Sequence, residues 1–261
     1  MKVSRILKPL VSLCTPLFML GALDIPIEFH GSASLGKYMN SDTIRYNMDA
    51  SVDLYVMLVR HHRFSFFGRY RDDLDMAEQK GGVSLDPRYG HYYIVGGFDY
   101  LFDKVFCRLY FMHDCIHDID FEVEGTPVFN RLRFVLADAD MHECQRLASE
   151  KRFLWSCQIG VYPHITYSGW DINSGADYQY DIVLDASIHV LKRRTYGVFI
   201  DPHIHITQGD TSLYHQHRVV GGAYTQSSTG RIGLAVTYNV WNNDVIKDPD
   251  KLWLLSFFLE F

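Results

Sequence analysis

The stretch HDCIHDID, residues 113–120, brings together side chains that could perform acid–base or metal chemistry. His113 and His117 lie four residues apart, and each is followed directly by an aspartate, Asp114 or Asp118. An imidazole beside a carboxylate can act as a general base, and such a group can also bind a divalent cation at an external loop. In an extended strand the two histidines stand about 13 Å apart, so they meet only if the segment turns. His113, His117 and Asp118 are therefore candidate catalytic residues, with plain loop residues as the alternative.

A second histidine-rich region lies later in the chain. His203 and His205 occur in DPHIHITQGD, and His215 and His217 occur in YHQH. Two adjacent antiparallel strands could bring these four imidazoles together as a zinc or copper site. The alternative is a mixed polar lining without metal.

A third group consists of charged residues that alternate with apolar ones. Its members are Arg69, Arg71, Arg108, Arg131, Arg133, Asp49, Asp53, Asp181, Asp185 and Asp201. Basic and acidic walls facing each other across a narrow passage focus the electric field and orient a polar solute, as in a porin constriction. The same side chains can instead pair and fill the interior.

The elements that must position these residues are β-strands, because apolar residues recur with a period of two. In IRYNMDASVDLYVML, for example, Val52, Leu54 and Val56 share one face, while Asp49 and Asp53 lie on the other. This pattern predicts strands near residues 26–36, 44–60, 63–72, 89–102, 105–114, 129–137, 152–168, 177–191, 194–207, 215–226, 230–241 and 251–261.

The connections between these strands favour a membrane barrel over a soluble sandwich. Short turns alternate with longer loops, and the longer loops all fall on the side opposite the N-terminus, except the connection 138–151, which we expect to form a helical turn. Strands of about ten residues suit a tilted passage through a bilayer. We therefore predict an all-β fold, a closed antiparallel up-and-down transmembrane β-barrel of about 12 strands.

Composition and the N-terminal segment indicate that this barrel belongs to the cell envelope. A basic start followed by an apolar stretch predicts a signal peptide over residues 1–22, leaving residues 23–261 as the barrel. The net charge of -6 excludes the basic surface of a nucleic-acid binder. Four cysteines remain after removal of the signal peptide. Of these, Cys115 and Cys144 both fall in predicted loops and are expected to form a disulfide.

The final strand, WLLSFFLEF, resembles the assembly signal of bacterial outer-membrane β-barrels, with alternating apolar residues before a terminal Phe261. The resemblance implies an outer-membrane location, recognition of this strand by the barrel-assembly machinery, and contact with outer-membrane lipid and lipopolysaccharide. The HDCIHDID segment, with Arg131 and Arg133 downstream, also loosely resembles a His-x-x-x-His-x-Asp element of uncharacterised envelope barrels. Those barrels have Ser-Ser where this chain has Cys115-Ile116.

Three functions follow from these features. The charged inner face favours a porin-like channel for small polar solutes, without a resident cofactor. The first alternative is an outer-membrane hydrolase that modifies lipid or lipopolysaccharide, and the second is a structural or adhesive envelope barrel. The absence of a serine nucleophile motif makes a channel the preferred hypothesis over an enzyme.

Overall fold

A computed structural model describes residues 25, 27–43, 46–78, 86–118, 127–167, 170–174, 177–244 and 250–261. Twelve long strands form the fold. They are β1 Glu28–Met39, β2 Met48–His61, β3 Phe64–Ala77, β4 Asp86–Leu101, β5 Val105–Asp118, β6 Arg131–Asp138, β7 Phe153–Val161, β8 Tyr178–Lys192, β9 Tyr196–Gly209, β10 Leu213–Gln226, β11 Arg231–Asn242 and β12 Trp253–Glu260.

Each strand pairs antiparallel with its neighbour in sequence, and β12 pairs with β1 to close the cylinder. At the seam Leu35 lies opposite Phe257, and Gly31 and Phe261 exchange two backbone hydrogen bonds of 2.9 Å. Closure leaves no sheet edge unpaired, which a bilayer requires of a β-structure. The predicted barrel of 12 strands is confirmed.

The seventh strand is shorter than predicted. It ends at Val161, whereas the alternation pattern extends to residue 168. Pro163 has no N–H to donate to a neighbouring strand, so the pairing stops before it. Beyond it, Thr166–Tyr167 and Trp170–Asp171 form a small separate hairpin.

Apolar side chains cover the outside of the barrel, and the inside holds polar side chains together with a buried apolar cluster that includes Met57 and Phe67. On β2, Val52 is 51% exposed, whereas Tyr55, which faces inward, is only 1% exposed. On β6, the outward Leu132 and Phe134 alternate with the buried Arg131 and Arg133. An exposed apolar belt belongs in lipid rather than water. Among the described residues, no helix is long and apolar enough to cross a membrane.

Short turns join the strands at one end, which we call periplasmic because such turns face the periplasm in this architecture. The long connection at that end contains a 3₁₀ turn, Ala139–Met141, and a short helix α1, Glu143–Arg146. Met141, Glu143 and Arg146 line the same interior cavity as strand residues. The connection therefore folds into the barrel, and we call residues 139–151 the plug.

The expected Cys115–Cys144 disulfide is wrong. Cys115 lies near the external end of β5, Cys144 lies in the plug at the periplasmic end, and both thiols are free. The length of the membrane-spanning strand separates them, whereas a disulfide needs Cα atoms within about 7 Å. Sequence analysis placed both cysteines in loops, although the strand order it predicted already sets these loops at opposite ends of the barrel. In the structure β5 extends through Cys115.

Two adjacent glycines of β4 provide a test of the packing inside the wall. A Cβ atom on the inward-facing Gly97 would lie 2.5 Å from the Leu109 carbonyl oxygen, whereas one on Gly96 meets nothing within 4 Å. We expect Gly97→Ala to lower the urea midpoint of unfolding in detergent, because the backbone must shift to admit the methyl group. Gly96→Ala is the matched control and should unfold like the wild type. Equal midpoints for the two variants would contradict the inward packing.

Candidate functional site

The structure places all ten charged residues of the predicted inner face inside the barrel. Arg108, Arg131 and Arg133 are almost fully buried, and Asp181 is 0% exposed. The others line interior cavities: Arg69, Asp53, Asp185 and Asp201 in the largest, and Arg71 and Asp49 in a second one nearer the external end. These residues therefore face inward, and their role as a passage or as a filling remains a prediction.

At the periplasmic end these charges pair with the plug. Arg108 donates from Nε to Asp99 at 2.6 Å and from its terminal nitrogens to Glu143 at 2.6 and 2.8 Å. His142 and Tyr55 also contact the Asp99 carboxylate, at 3.1 and 3.0 Å. Burial alone would raise the pKa of Glu143, but the guanidinium of Arg108 holds it well below the usual carboxyl range. Glu143 is thus a charged anchor that holds the plug in the lumen.

A second network crosses the external half of the barrel. Arg131 donates to the Tyr162 hydroxyl at 2.8 Å and contacts Asp114 at 3.0 Å. Arg133 pairs with Asp181, which also accepts from Tyr162 at 2.9 Å. Buried charges persist when they are paired and hydrogen-bonded in this way. These paired side chains thus occupy part of the external half of the lumen, and the second cavity occupies another part of it.

Between the two networks lies a cavity of about 380 Å³. On its wall Asp185 contacts His203 at 2.6 Å and accepts hydrogen bonds from Ser156 at 3.0 Å and Gln158 at 2.9 Å. The described residues thus form a polar chamber with a network of paired charges toward each end of it.

The four histidines predicted as a metal site do not converge. The β9–β10 register sets His205 opposite Gln216, and Ile204 opposite His217. Because directly opposed residues share a face, His203 and His205 point inward while His215 and His217 point outward with the exposed Ile204. The sequence shows two histidines on each strand, but only the tertiary structure gives the register between the strands.

His113 lies on the outer face of the barrel near its external end. It is directly opposite Ile94, which is 56% exposed. Its Nδ1 lies 2.8 Å from the Oδ1 of Asn130, a residue just before β6. The Nδ2 of Asn130 donates to the Ile172 carbonyl, which turns Oδ1 toward the histidine. Since an amide oxygen only accepts, His113 Nδ1 carries the hydrogen and Nε2 remains an acceptor.

Cys115 shares this outer face, two residues along the same strand. It is opposite Tyr92, and its Sγ lies 3.9 Å from the Tyr92 carbonyl oxygen. A thiol, an imidazole and an amide that orients the imidazole therefore occupy one small region. We call His113, Cys115 and Asn130 the rim cluster.

The other two residues of the predicted catalytic group behave differently. His117 is on the same outward face of β5 as His113, but four residues farther along an extended strand, so the two imidazoles do not meet. Asp118 ends β5, and its side chain lies outside the described residues. The carboxylate of the HDCIHDID stretch that the structure places is Asp114, which points inward to His91 and Arg131.

Sequence analysis overlooked three residues that organise these sites. Asp99 lies between two aromatic residues in the sequence FDY of β4. Since side chains alternate between the two faces of a strand, this pattern indicates an acidic side chain that points inward. Glu143 lies in the connection that the strand pattern treated as a turn. Asn130 gave no signal, because its role depends on β5 and β6 becoming neighbours.

No family model matches the chain, and no curated protein matches its sequence. Solved structures resemble its fold. The outer-membrane phospholipase dimer of Salmonella typhi with bound calcium aligns with a TM-score of 0.54 at 11% identity, covering 92% of each chain. The KdgM porin in complex with disordered oligogalacturonate gives 0.48 at 9% identity, over 88% of this chain and 98% of that one. Vibrio cholerae OmpT gives 0.42 at 9% identity, over 90% and 97%.

These likenesses concern the fold, and they agree with the closed wall, the apolar belt and the short periplasmic turns described above. The chain has the fold of bacterial outer-membrane β-barrels. Its chemistry must be argued from its own side chains.

Proposed function

We propose that the barrel is an outer-membrane hydrolase of acyl esters, with Cys115 as nucleophile, His113 as base and Asn130 as the residue that orients the base. One observation carries the proposal: the His113–Asn130 hydrogen bond of 2.8 Å on the face that also bears Cys115. A nucleophile, a base and a group that orients the base recur on unrelated folds, including as Cys-His-Asn.

The reaction uses the free Nε2 of His113. The proposed mechanism requires the Cys115 Sγ to turn from the Tyr92 carbonyl oxygen toward Nε2. Nε2 takes the thiol proton, and the thiolate attacks the ester carbonyl carbon to form a C–S bond. The C–O bond then breaks, and the alcohol leaves with the proton from the imidazolium. Water, deprotonated by the same imidazole, cleaves the thioester and releases the acid and the thiol.

The position of the rim cluster favours lipids as substrates. It faces outward, beside Ile94 and Leu132, which are more than half exposed toward the acyl chains. It is also near the external end of β5, toward the headgroups of the outer leaflet. Cys115 and Asn130 are themselves buried, so the mechanism requires the side chains that cover them to move aside before an ester of a phospholipid or of lipopolysaccharide reaches Cys115. Hydrolysis of a chromogenic acyl ester in micelles by the purified barrel, with Cys115→Ala as the inactive variant, tests this function.

A porin-like channel for small polar solutes is the second candidate. The observation that favours it is the charged chamber of about 380 Å³ with two further cavities of about 210 Å³. Solute could pass only if the plug moved and the external network opened. A divalent cation at the external loops would belong to the region of residues 119–126, which lies outside the described residues.

Planar-bilayer recording distinguishes the two candidates. We expect the folded wild-type barrel to give no conductance steps, since paired charges block both halves of the lumen. A variant in which two glycines replace residues 142–148 should conduct more often, with heat-denatured protein as the control for leaks. Reproducible wild-type steps whose ion preference changes in Asp185→Ala would instead establish the channel. A barrel that neither conducts nor hydrolyses esters would leave the structural or adhesive role.

We further propose that β12 is the strand recognised by the barrel-assembly machinery. Its outward residues Trp253, Leu255 and Phe257 are each about half exposed and alternate with inward ones, as the assembly signal requires. Outer-membrane lipid and lipopolysaccharide are then the surroundings of the folded wall.

A further inference from the structure

Three side chains of metal-binding type meet where the plug contacts the barrel wall. Glu28 and His30 lie two residues apart at the periplasmic start of β1, and Cys144 lies on α1 of the plug. One ligand atom from each, a carboxylate oxygen, an imidazole nitrogen and Sγ, lies within 4.8 Å of the other two. Within the described part of the chain, this is the one such group of three, and it lies at the opposite end of the barrel from the rim cluster.

The donor set matches zinc. Zinc binds carboxylate, imidazole and thiolate together, and three protein ligands with a fourth position for water is a common arrangement. Donor atoms around a tetrahedral zinc are about 3.3 to 3.8 Å apart, given Zn–N and Zn–S bonds of about 2.0 and 2.3 Å. Since no pair of donor atoms is more than 4.8 Å apart, binding needs a contraction of at most about 1.5 Å, which the flexible Glu28 side chain can provide by changing rotamer.

The cluster has a cationic neighbour. Glu28 Oε2 lies 3.0 Å from Arg60 and 3.9 Å from His30 Nε2, so a bound zinc ion would compete with Arg60 for this carboxylate. Cys144 would bind zinc as the thiolate, with release of the thiol proton to water.

We propose that Glu28, His30 and Cys144 form a zinc site that fastens the plug to the barrel wall. Zinc held by ligands from both elements stabilises the closed arrangement, because the ion binds the plug in its folded position and not in a displaced one. This inference does not depend on the proposed hydrolase activity.

Cobalt substitution of the full-length barrel, refolded in detergent micelles, tests the site. Cobalt bound to a thiolate gives an absorption band in the near ultraviolet, which reports the cysteine directly. We expect one equivalent of Co²⁺ to produce the band and Zn²⁺ to abolish it. Cys144→Ala should lack the band, and Glu28→Gln and His30→Ala should weaken Zn²⁺ binding by at least about tenfold.

Two control variants distinguish this site from other side chains that could bind a metal ion. Cys157→Ala removes a different half-buried thiol and should leave the band unchanged. His61 and His62, whose rings lie 4.5 Å apart, could bind zinc adventitiously, and a variant with both replaced by alanine should retain the band. The proposal is overturned if the folded wild type gives no band or if Cys144→Ala keeps it. It is also overturned if Glu28→Gln, which preserves side-chain shape, binds zinc as tightly as wild type.

Discussion

Replacing Cys115 by alanine is expected to lower kcat for acyl-ester hydrolysis by at least about 10³-fold, because removing the nucleophile of a triad removes its covalent step. His113→Ala should cost about the same, since residues that act as one unit lose activity together rather than additively. Asn130→Ala should be less active than the wild type, because the imidazole loses the partner that fixes its tautomer. Release of acid from a micellar ester, followed by continuous titration, measures all three.

The chain provides a closely matched control for this experiment. Cys107 lies on the same strand as Cys115 and on the same outward face, and it is likewise a free thiol. Cys107→Ala should retain full activity and should still be inactivated by a lipid-soluble maleimide. Cys115→Ser tests the chemistry further, since it keeps the geometry with a weaker nucleophile and should retain part of the activity. Hydrolysis that persists in Cys115→Ala would falsify the assignment.

The second large effect concerns stability. Replacing Arg108 by alanine is expected to reduce the free energy of unfolding by about 3 to 5 kcal/mol, because Asp99 and Glu143 lose the guanidinium that both of them contact. Arg108 is 5% exposed and Asp99 is 1% exposed, so the lost ion pair is a buried one. Urea unfolding in lipid vesicles, followed by tryptophan fluorescence, measures the difference.

A surface pair is the control for this variant. Arg63 contacts Asp103 at 2.6 Å, but their side chains are 53% and 81% exposed. Arg63→Ala should change the free energy of unfolding by no more than about 1 kcal/mol. A triple variant, Arg108→Met with Asp99→Asn and Glu143→Gln, should recover part of the loss because no buried charge remains. If Arg108→Ala is as stable as Arg63→Ala, the plug is not anchored by this network.

The paired charges of the lumen also bear on the proposed hydrolase. A wall braced by such pairs is rigid, and a rigid wall can hold side chains on its outer face in fixed relative positions. His113 and Cys115 gain such positions from strand pairing with β4, and Asn130 gains its position from the contact with Ile172. The inward charge networks and the outward rim cluster are therefore compatible with the proposed activity.

Sequence alone predicted the barrel itself. Period-two alternation depends only on neighbours along a strand, so it identified twelve strands, their inward and outward faces and the unusual connection 138–151. It also identified Arg108, Arg133 and Asp181 as inward residues, because a charge between two apolar neighbours can face only the lumen when the outside is lipid.

The tertiary structure alone decided which of these residues meet. Strand register set His203 and His217 on opposite faces, and the β5–β6 contact brought Asn130 to His113. Each of these outcomes depends on pairs that are distant along the chain, and alternation within one strand contains no information about its offset against another. The strands of the barrel wall could therefore be predicted from the local sequence. The sites on that wall depend on strand register, barrel closure and the folding of the plug into the lumen.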